Sequence, residues 1–201
     1  RDSSNGYLKI EKYYQSSSQL IVNRRMKNKS SLSRNGNIRV ESTHCVFLSL
    51  WHGTYPFITS KDMTASVLCA DVGLGPTKVD EVIVVFKSYV TRVGTGPLEN
   101  ELSLEEAEKK GWSEFGTVTG RQRRAAVFDF DLARRAIMLN GKTQISITNI
   151  DVLYPDCAGE TSFENISKDA KAFIKNIEDE LNTPVAIIGT GPAINDVIVT
   201  R

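Results

Sequence analysis

The stretch Asp80-Glu81-Val82-Ile83-Val84-Val85-Phe86 constrains the fold more than any other part of the chain. It is too short for a packed helix and dense in β-branched side chains, so its simplest form is a strand buried on both faces. Such a strand belongs in a sheet covered by helices, and the sequence after it supplies them. Ser103-Leu104-Glu105-Glu106 has the Ser-x-x-Glu spacing of a capping box, in which two side chains satisfy the amides of a helix start. That helix should stop near Lys110, with Gly111 as the left-handed residue after it. From Asp131 to Asn140, Leu132, Ala133, Ala136 and Ile137 recur on one helical face. Ile145, Ile147 and Asn149 then alternate as a strand entering a turn at Asp151. Ala170, Phe173, Ile174, Ile177 and Leu181 mark a second amphipathic helix. Val185-Ala186-Ile187-Ile188 reads as a strand running directly into Gly189-Thr190-Gly191-Pro192, and a short strand is expected from Val197 to Arg201. The fold class is α/β, with a mostly parallel central sheet flanked by helices.

Composition narrows function by exclusion. At 201 residues, with 40% hydrophobic and 24% charged, the chain can bury one full core. A net charge of +1 gives no general reason to expect nucleic acid or an anionic membrane as partner. The basic run Arg24, Arg25, Lys27, Lys29, Arg34 and Arg39, with Tyr13 and Tyr14 before it, could serve single-stranded nucleic acid. A solvated terminal segment is the ordinary explanation of such a run, and nucleic acid is not the expected partner. Cys45, Cys69 and Cys157 form no CxxC pair, which argues for a reducing cytoplasm rather than a disulfide framework. His44 and His52 are too few for a local His/Cys zinc site. No apolar run approaches the roughly 20 residues of a membrane span. Residues 1–36, rich in Ser, Asn and basic side chains, are expected to be weakly structured or peripheral, with the folded part at 37–201. The opening Arg1 is not expected to be a native translation start.

Four segments break the core pattern at strand ends, where open α/β sheets bind ligands. His52-Gly53-Thr54-Tyr55-Pro56-Phe57-Ile58-Thr59-Ser60-Lys61-Asp62 crowds hydroxyls, a charge pair and turn formers into one loop, which alone could be an ordinary polar loop. Thr91-Arg92-Val93-Gly94-Thr95-Gly96-Pro97 sets two glycines beside a guanidinium, a pattern that lets a backbone approach an anion or sugar but also occurs in plain turns. Gly116-Thr117-Val118-Thr119-Gly120-Arg121-Gln122-Arg123-Arg124 is the strongest signal. Its arginines would repel one another unless an anion held them, which favours a bound carboxylate or phosphate over a basic surface turn. Thr148-Asn149-Ile150-Asp151 ends one strand with a carboxylate, and Gly189-Thr190-Gly191-Pro192 ends another with open amides. That carboxylate could accept from the ring N–H and amine of a guanine, or could simply cap a turn.

Taken together, His52 to Ser60, Thr91-Arg92-Val93-Gly94, Gly116 to Arg124, Ile150-Asp151-Val152-Leu153 and Gly189-Thr190-Gly191-Pro192 resemble adenylosuccinate synthetase, the shorter archaeal-type members most of all. The resemblance runs from about Asn37 to Arg201, with the motifs in family order. It implies a fold related to P-loop-type GTP-binding folds and a role in AMP biosynthesis. In that reaction GTP phosphorylates the 6-oxygen of IMP, and the amine of L-aspartate displaces the phosphate to give adenylosuccinate. It also implies Mg²⁺, a homodimer and a cytoplasmic enzyme. By position, His44, Thr59, Val93 and Arg121 would meet IMP. Thr117, Val118, Thr119, Gly120, Arg121, Gln122 and Arg123 would hold aspartate. Arg123, Asn149, Ile150, Asp151, Gly189, Thr190 and Gly191 would hold GTP.

The match has three departures. The family's Gly-Asp-Glu-Gly-Lys-Gly phosphate loop and its later catalytic His have no counterpart here, nor does any Gly-x-x-x-x-Gly-Lys-Ser/Thr loop. Catalytic residues and Mg²⁺ ligands are therefore expected outside these residues, and the chain by itself is expected to be inactive. The family's Glu-Gly-Thr-Gln-Gly reads Glu41-Ser42-Thr43-His44-Cys45, placing a Cβ on Ser42 and Cys45 where positive φ is expected and leaving His44 as stand-in for the Gln. Asn149 replaces a Lys and lacks its long apolar stem. The alternative reading is a truncated or degenerate homologue that binds a purine nucleotide or a partner without catalysis.

Overall fold

In a computed structural model of the chain, residues 39–42, 44–116 and 120–200 are described. The expectation for residues 1–36 lies outside them. The chain divides between Val79 and Asp80 into two compact units.

The described part of the first unit is organised by one carboxylate. Asp62 accepts from the Ser49 hydroxyl and, at 2.7 Å, from the Met63 amide on one oxygen, and from the Thr64 hydroxyl at 3.1 Å on the other. The fully buried Ser49 extends the network, its Oγ accepting from the amides of Trp51 and His52. Burial alone would raise the Asp62 carboxyl, but donors from Ser49, Met63 and Thr64 outweigh it and hold it below its ordinary value. Thr64 precedes helix α1 (Ala65–Val72), yet its hydroxyl makes no cap hydrogen bond because Asp62 holds it. Gly53 is sterically required, since a Cβ there would lie 2.4 Å from the Ser49 carbonyl oxygen and 2.6 Å from that of Phe47. The His52–Asp62 stretch is thus a closed structure rather than a loose polar loop.

The second unit carries a four-stranded sheet in the order β1 (Ile83–Lys87), β4 (Gln144–Thr148), β5 (Val185–Gly189), β6 (Val197–Val199). The first three are parallel and β6 runs antiparallel on β5. Helices α3 (Phe130–Asn140) and α5 (Lys168–Leu181) pack with Ile145, Ile147, Val185, Ile188 and Ile198 into one core. Both helices begin where short polar side chains cap them. Asp129 accepts from the Leu132 amide at 2.9 Å, and Ser167 from the Ala170 amide at 3.3 Å. Each ends on a left-handed residue, Gly141 or Asn182.

The expectation that 80–86 is buried on both faces is overturned. Ile83 and Val85 are 41% and 63% exposed, and β1 is an edge strand among the described residues. Val84 and Phe86 pair with Ile145 and Ile147 on the helix-covered face, so alternation turns Ile83 and Val85 the other way.

A second sheet, unforeseen from sequence, pairs β2 (Val90–Val93) antiparallel with β3 (Arg123–Ala126). Arg123 and Arg124 therefore sit in a strand, not in a basic loop. Helix α2 (Leu104–Lys109) has both arms of its capping box, Glu106 amide to Ser103 Oγ at 3.2 Å and Ser103 amide to the Glu106 carboxylate at 2.9 Å. Its Ala107 packs with Tyr89, Trp112 and Ala125, and Gly111 follows with positive φ.

Candidate functional site

The carboxyl ends of β1, β4 and β5 meet at one edge of the second unit. Ser88, just after β1, donates its amide to the Thr148 carbonyl at 2.9 Å and its hydroxyl to the Asn149 carbonyl at 2.7 Å. Asn149 follows β4 in the left-handed region (φ 61) and turns the chain into the one-turn helix α4 (Ile150–Leu153), with Asp151 in that turn. Gly189 ends β5 so close by that an added Cβ would lie 3.5 Å from the Thr148 Cα. Asn149, Asp151, Gly189, Thr190 and Gly191 thus stand at neighbouring strand ends. Ile150 is fully buried and belongs to the core.

The open amides expected at 189–192 are corrected at Thr190, which is fully buried. Its amide donates to the Asp196 carbonyl at 2.9 Å, its hydroxyl to the Glu160 carbonyl at 2.7 Å, and its own carbonyl accepts from Gly159. Gly191 is held open by the Asp196 side chain, whose Oδ2 would lie 2.4 Å from an added Cβ and accepts from the Ala193 amide.

Beside this edge lies a charged cluster that sequence reasoning missed. Glu114 receives Lys87 Nζ and the Tyr89 hydroxyl on one oxygen, and faces Arg123 Nη1 at 3.6 Å with the other. Thr91 Oγ1 accepts from Lys87 Nζ at 3.2 Å and stands 3.5 Å from Arg123 Nη1. The Lys87 ammonium sits 4.2 Å above the Tyr89 ring, and that ring stacks on Trp112. Burial lowers the Lys87 ammonium, which Glu114 only partly restores. Burial would raise the Glu114 carboxyl, but bonds from Lys87 and Tyr89 and the charges of Lys87 and Arg123 leave it below its ordinary value. Burial, then Glu114 and the charge of Asp151, push the Tyr89 phenol well up. Arg123 Nε is buried with no hydrogen-bond partner. The one local signal of this cluster was a lysine closing an apolar strand run, since Glu114 lies far along the chain.

Of the arginines in Gly116–Arg124, expected to need an external anion, Arg124 is already neutralised within the fold. Arg124 forks onto Glu101, with Nε to Oε1 at 2.7 Å, and donates to the carbonyls of Gly94 and Gly96. Arg92 donates to the carbonyls of Thr95 and Pro97. Both brace the 94–97 turn. Arg121 and Gln122 are exposed, with the Gly116 amide donating to the Arg121 carbonyl and the Gly120 amide to the Gly116 carbonyl, each at 2.8 Å. Gln122 also donates to Ser113 at 3.2 Å. Thr117, Val118 and Thr119 lie outside the described residues. Val93 is exposed at the end of β2.

In the first unit, Thr59 gives both its hydroxyl and its amide to the Leu48 carbonyl, at 2.7 and 2.8 Å. His44 is exposed with φ 70, whereas Cys45, where strain was expected, has φ −88. Among the described residues of that motif, the left-handed position is therefore His44.

Among the described residues no three His, Cys, Asp or Glu side chains gather closely enough to hold a metal. No helix among them is long and apolar enough to cross a membrane.

Glycine turns and a helix-opening carboxylate at the carboxyl ends of parallel strands, with an under-satisfied guanidinium beside them, define a class: open α/β proteins whose polar groups gather at the strand edge, where such sheets take ligands. The comparisons narrow it. The family model for adenylosuccinate synthetase matches residues 2–156, and so takes in the opening stretch that shows no family motif by eye. The chain is 54% identical over 172 residues to adenylosuccinate synthetase of Methanocaldococcus jannaschii, covering 86% of this chain and 50% of the relative. It is 53% identical over 165 residues to that of Methanosphaera stadtmanae, covering 82% and 48%. Fully ligated adenylosuccinate synthetase from Plasmodium falciparum superposes with a TM-score of 0.80 at 26% identity, over 86% of this chain and 52% of that one. Succinoaminodeoxyadenylate synthetase of cyanophage S-2L, bound to dGMP and to dATP as an energy donor, gives 0.68 at 25% identity, over 86% and 49%. The chain belongs to the adenylosuccinate synthetase family. It spans about half the length of the curated relatives it matches.

Proposed function

We propose that this chain is the purine- and aspartate-reading part of an enzyme of AMP biosynthesis that ligates L-aspartate to IMP at the expense of GTP. The observation that carries this is Arg123, a guanidinium with an unpartnered buried Nε in the cluster that Glu114 joins to Lys87, at the carboxyl end of β1 and opposite Thr148. In the reaction the 6-oxygen of IMP is phosphorylated and the aspartate amine displaces the phosphate. Two dianionic partners and a nucleotide need fixed cations, and Arg121 and Arg123 supply them. Asp151 reads guanine by accepting from its ring N–H and amine, beside Asn149 and Gly189. The Thr117–Arg123 stretch holds aspartate, and His44, Thr59, Val93 and Arg121 are the IMP contacts. Mg²⁺ would serve the phosphoryl transfer, and among the described residues no three His, Cys, Asp or Glu side chains gather to hold it. The protein works as a cytoplasmic homodimer.

One structural neighbour carries dATP as energy donor, so the donor base varies on this scaffold. Asp151 is the residue that settles it here. Titration calorimetry of the 201-residue chain with IMP, GTP, ATP and L-aspartate tests the reading. Binding of GTP over ATP, lost in Asp151→Asn, together with weaker aspartate or IMP binding in Arg121→Ala, is the expected outcome. Silence from every ligand would leave an interaction role instead.

A further inference from the structure

The charged cluster beside the strand edge contains a carboxylate to which the proposed reaction gives no part. Three elements converge on Glu114: Lys87 ends β1, Tyr89 leads into β2 and Arg123 opens β3. The Arg123 amide donates to the Glu114 carbonyl at 2.7 Å, so the two residues are cross-strand neighbours by backbone as well as by charge.

The neighbouring ion pair shows what a closed fork looks like. Arg124 meets both oxygens of Glu101 through two nitrogens. Arg123 meets Glu114 through one nitrogen at 3.6 Å, touches Thr91 at 3.5 Å, and leaves Nε buried without an acceptor. Glu114 cannot close on it because Lys87 and Tyr89 hold the carboxylate from the other side. The guanidinium is therefore oriented by attraction while most of its donors stay available, and Lys87 plus Arg123 against Glu114 leave one positive charge in excess.

We propose that Glu114, fixed by Lys87 and Tyr89, is a positioning residue that aims Arg123 at the carboxylate or phosphate of a bound ligand. This rests on the reading that L-aspartate and GTP are ligands. Charge balance and positioning differ in consequence. If Glu114 merely balanced charge, Glu114→Gln would tighten anion binding and Glu114→Asp, which keeps the charge, would change nothing. If it positions Arg123, both variants weaken binding, because the amide loses the attraction and the shorter carboxylate retreats from the guanidinium.

The test is calorimetric titration of L-aspartate into the 201-residue chain with IMP and GTP present, comparing wild type, Glu114→Gln, Glu114→Asp and Glu101→Gln. Circular dichroism establishes that each is folded, and Glu114→Asp carries the test if the glutamine variant is not. Loss of about tenfold in aspartate affinity in the Glu114 variants, with Glu101→Gln unchanged, is the expected result. Wild-type or tighter affinity in a folded Glu114 variant overturns the positioning role while leaving the proposed function standing. A wild-type chain that binds none of the ligands overturns both.

Discussion

Arg92 and Arg124 face each other directly across the β2–β3 ladder, and both guanidiniums turn onto the same 94–97 loop. Like charges in that register repel unless something offsets them. Glu101 and four loop carbonyls do so, those of Gly94, Thr95, Gly96 and Pro97. The arrangement depends on the planar fork of arginine, which serves a carboxylate and two carbonyls at once. A lysine ammonium cannot reach all three. Arg124→Lys should therefore lower stability by about 1–2 kcal/mol in urea unfolding, the loss of one or two charge-assisted hydrogen bonds on a partly exposed pair. An unchanged urea midpoint would show that the loop is held by its glycines alone.

The same pair shows what the sequence could and could not disclose. Helices α2, α3 and α5 were legible because a capping box and a 3.6-residue period are local properties: Ser103 caps α2 where its spacing put it, and the apolar period marks α3 and α5. The strand-end position of Asp151 and Gly189 was legible for a similar reason, since Gly189 closes the run that begins at Val185 and Asp151 stands in the turn just beyond Thr148. The β2–β3 sheet was not. Its strands carry Thr91, Arg92, Arg123 and Arg124, polar residues with no apolar alternation, and their pairing joins segments about thirty positions apart. Glu101 lies 23 positions from Arg124 and Glu114 lies 27 from Lys87, so the cations looked unbalanced until the fold set acid beside base. The burial of β1 was overstated because a continuous apolar run does not say which face the helices take.

Gly191 and Asp196 form a second dependent pair. An added methyl at Gly191 meets the Asp196 carboxylate, which must then leave the Ala193 amide. Gly191→Ala should cost about 1–3 kcal/mol by overpacking. Asp196→Ala removes the obstacle, so the double variant should lose clearly less than the sum of the two singles. Additive losses in a denaturation cycle would place the strain elsewhere.

Thr190 bears on stability before it bears on any ligand. Its hydroxyl is fully buried and bonded to the Glu160 carbonyl at 2.7 Å. Thr190→Val keeps the shape and leaves that carbonyl without its donor, which should cost about 1–3 kcal/mol. Thr190→Ser keeps the donor and should cost less. If the order of the two midpoints in guanidinium unfolding is reversed, the packing of the methyl group outweighs the hydrogen bond.

The Glu114 carboxyl sits below its ordinary value near 4.5 in the folded chain. The unfolded chain therefore takes up that proton at higher pH than the folded one does. The stability tied to it is fully present above the ordinary value and is lost as pH falls through the folded value. Lys87 has a profile of the same sign at the other end of the scale: burial depresses its ammonium, so its penalty persists at acid and neutral pH and is relieved only on the alkaline side. An acid limb below about pH 4.5 thus belongs to Glu114, to Glu101 and Glu106 and, in the first unit, to Asp62, whose carboxyls are also lowered. Thermal melts of the wild type and Glu114→Gln from about pH 7 to about pH 3 should start from a lower midpoint in the variant and converge toward acid, the variant's limb being shallower but not flat because the other three carboxyls remain. Parallel limbs would mean that Glu114 is not held ionised by Lys87, Tyr89 and Arg123, and the cluster would lose the anchor on which the aim of Arg123 depends.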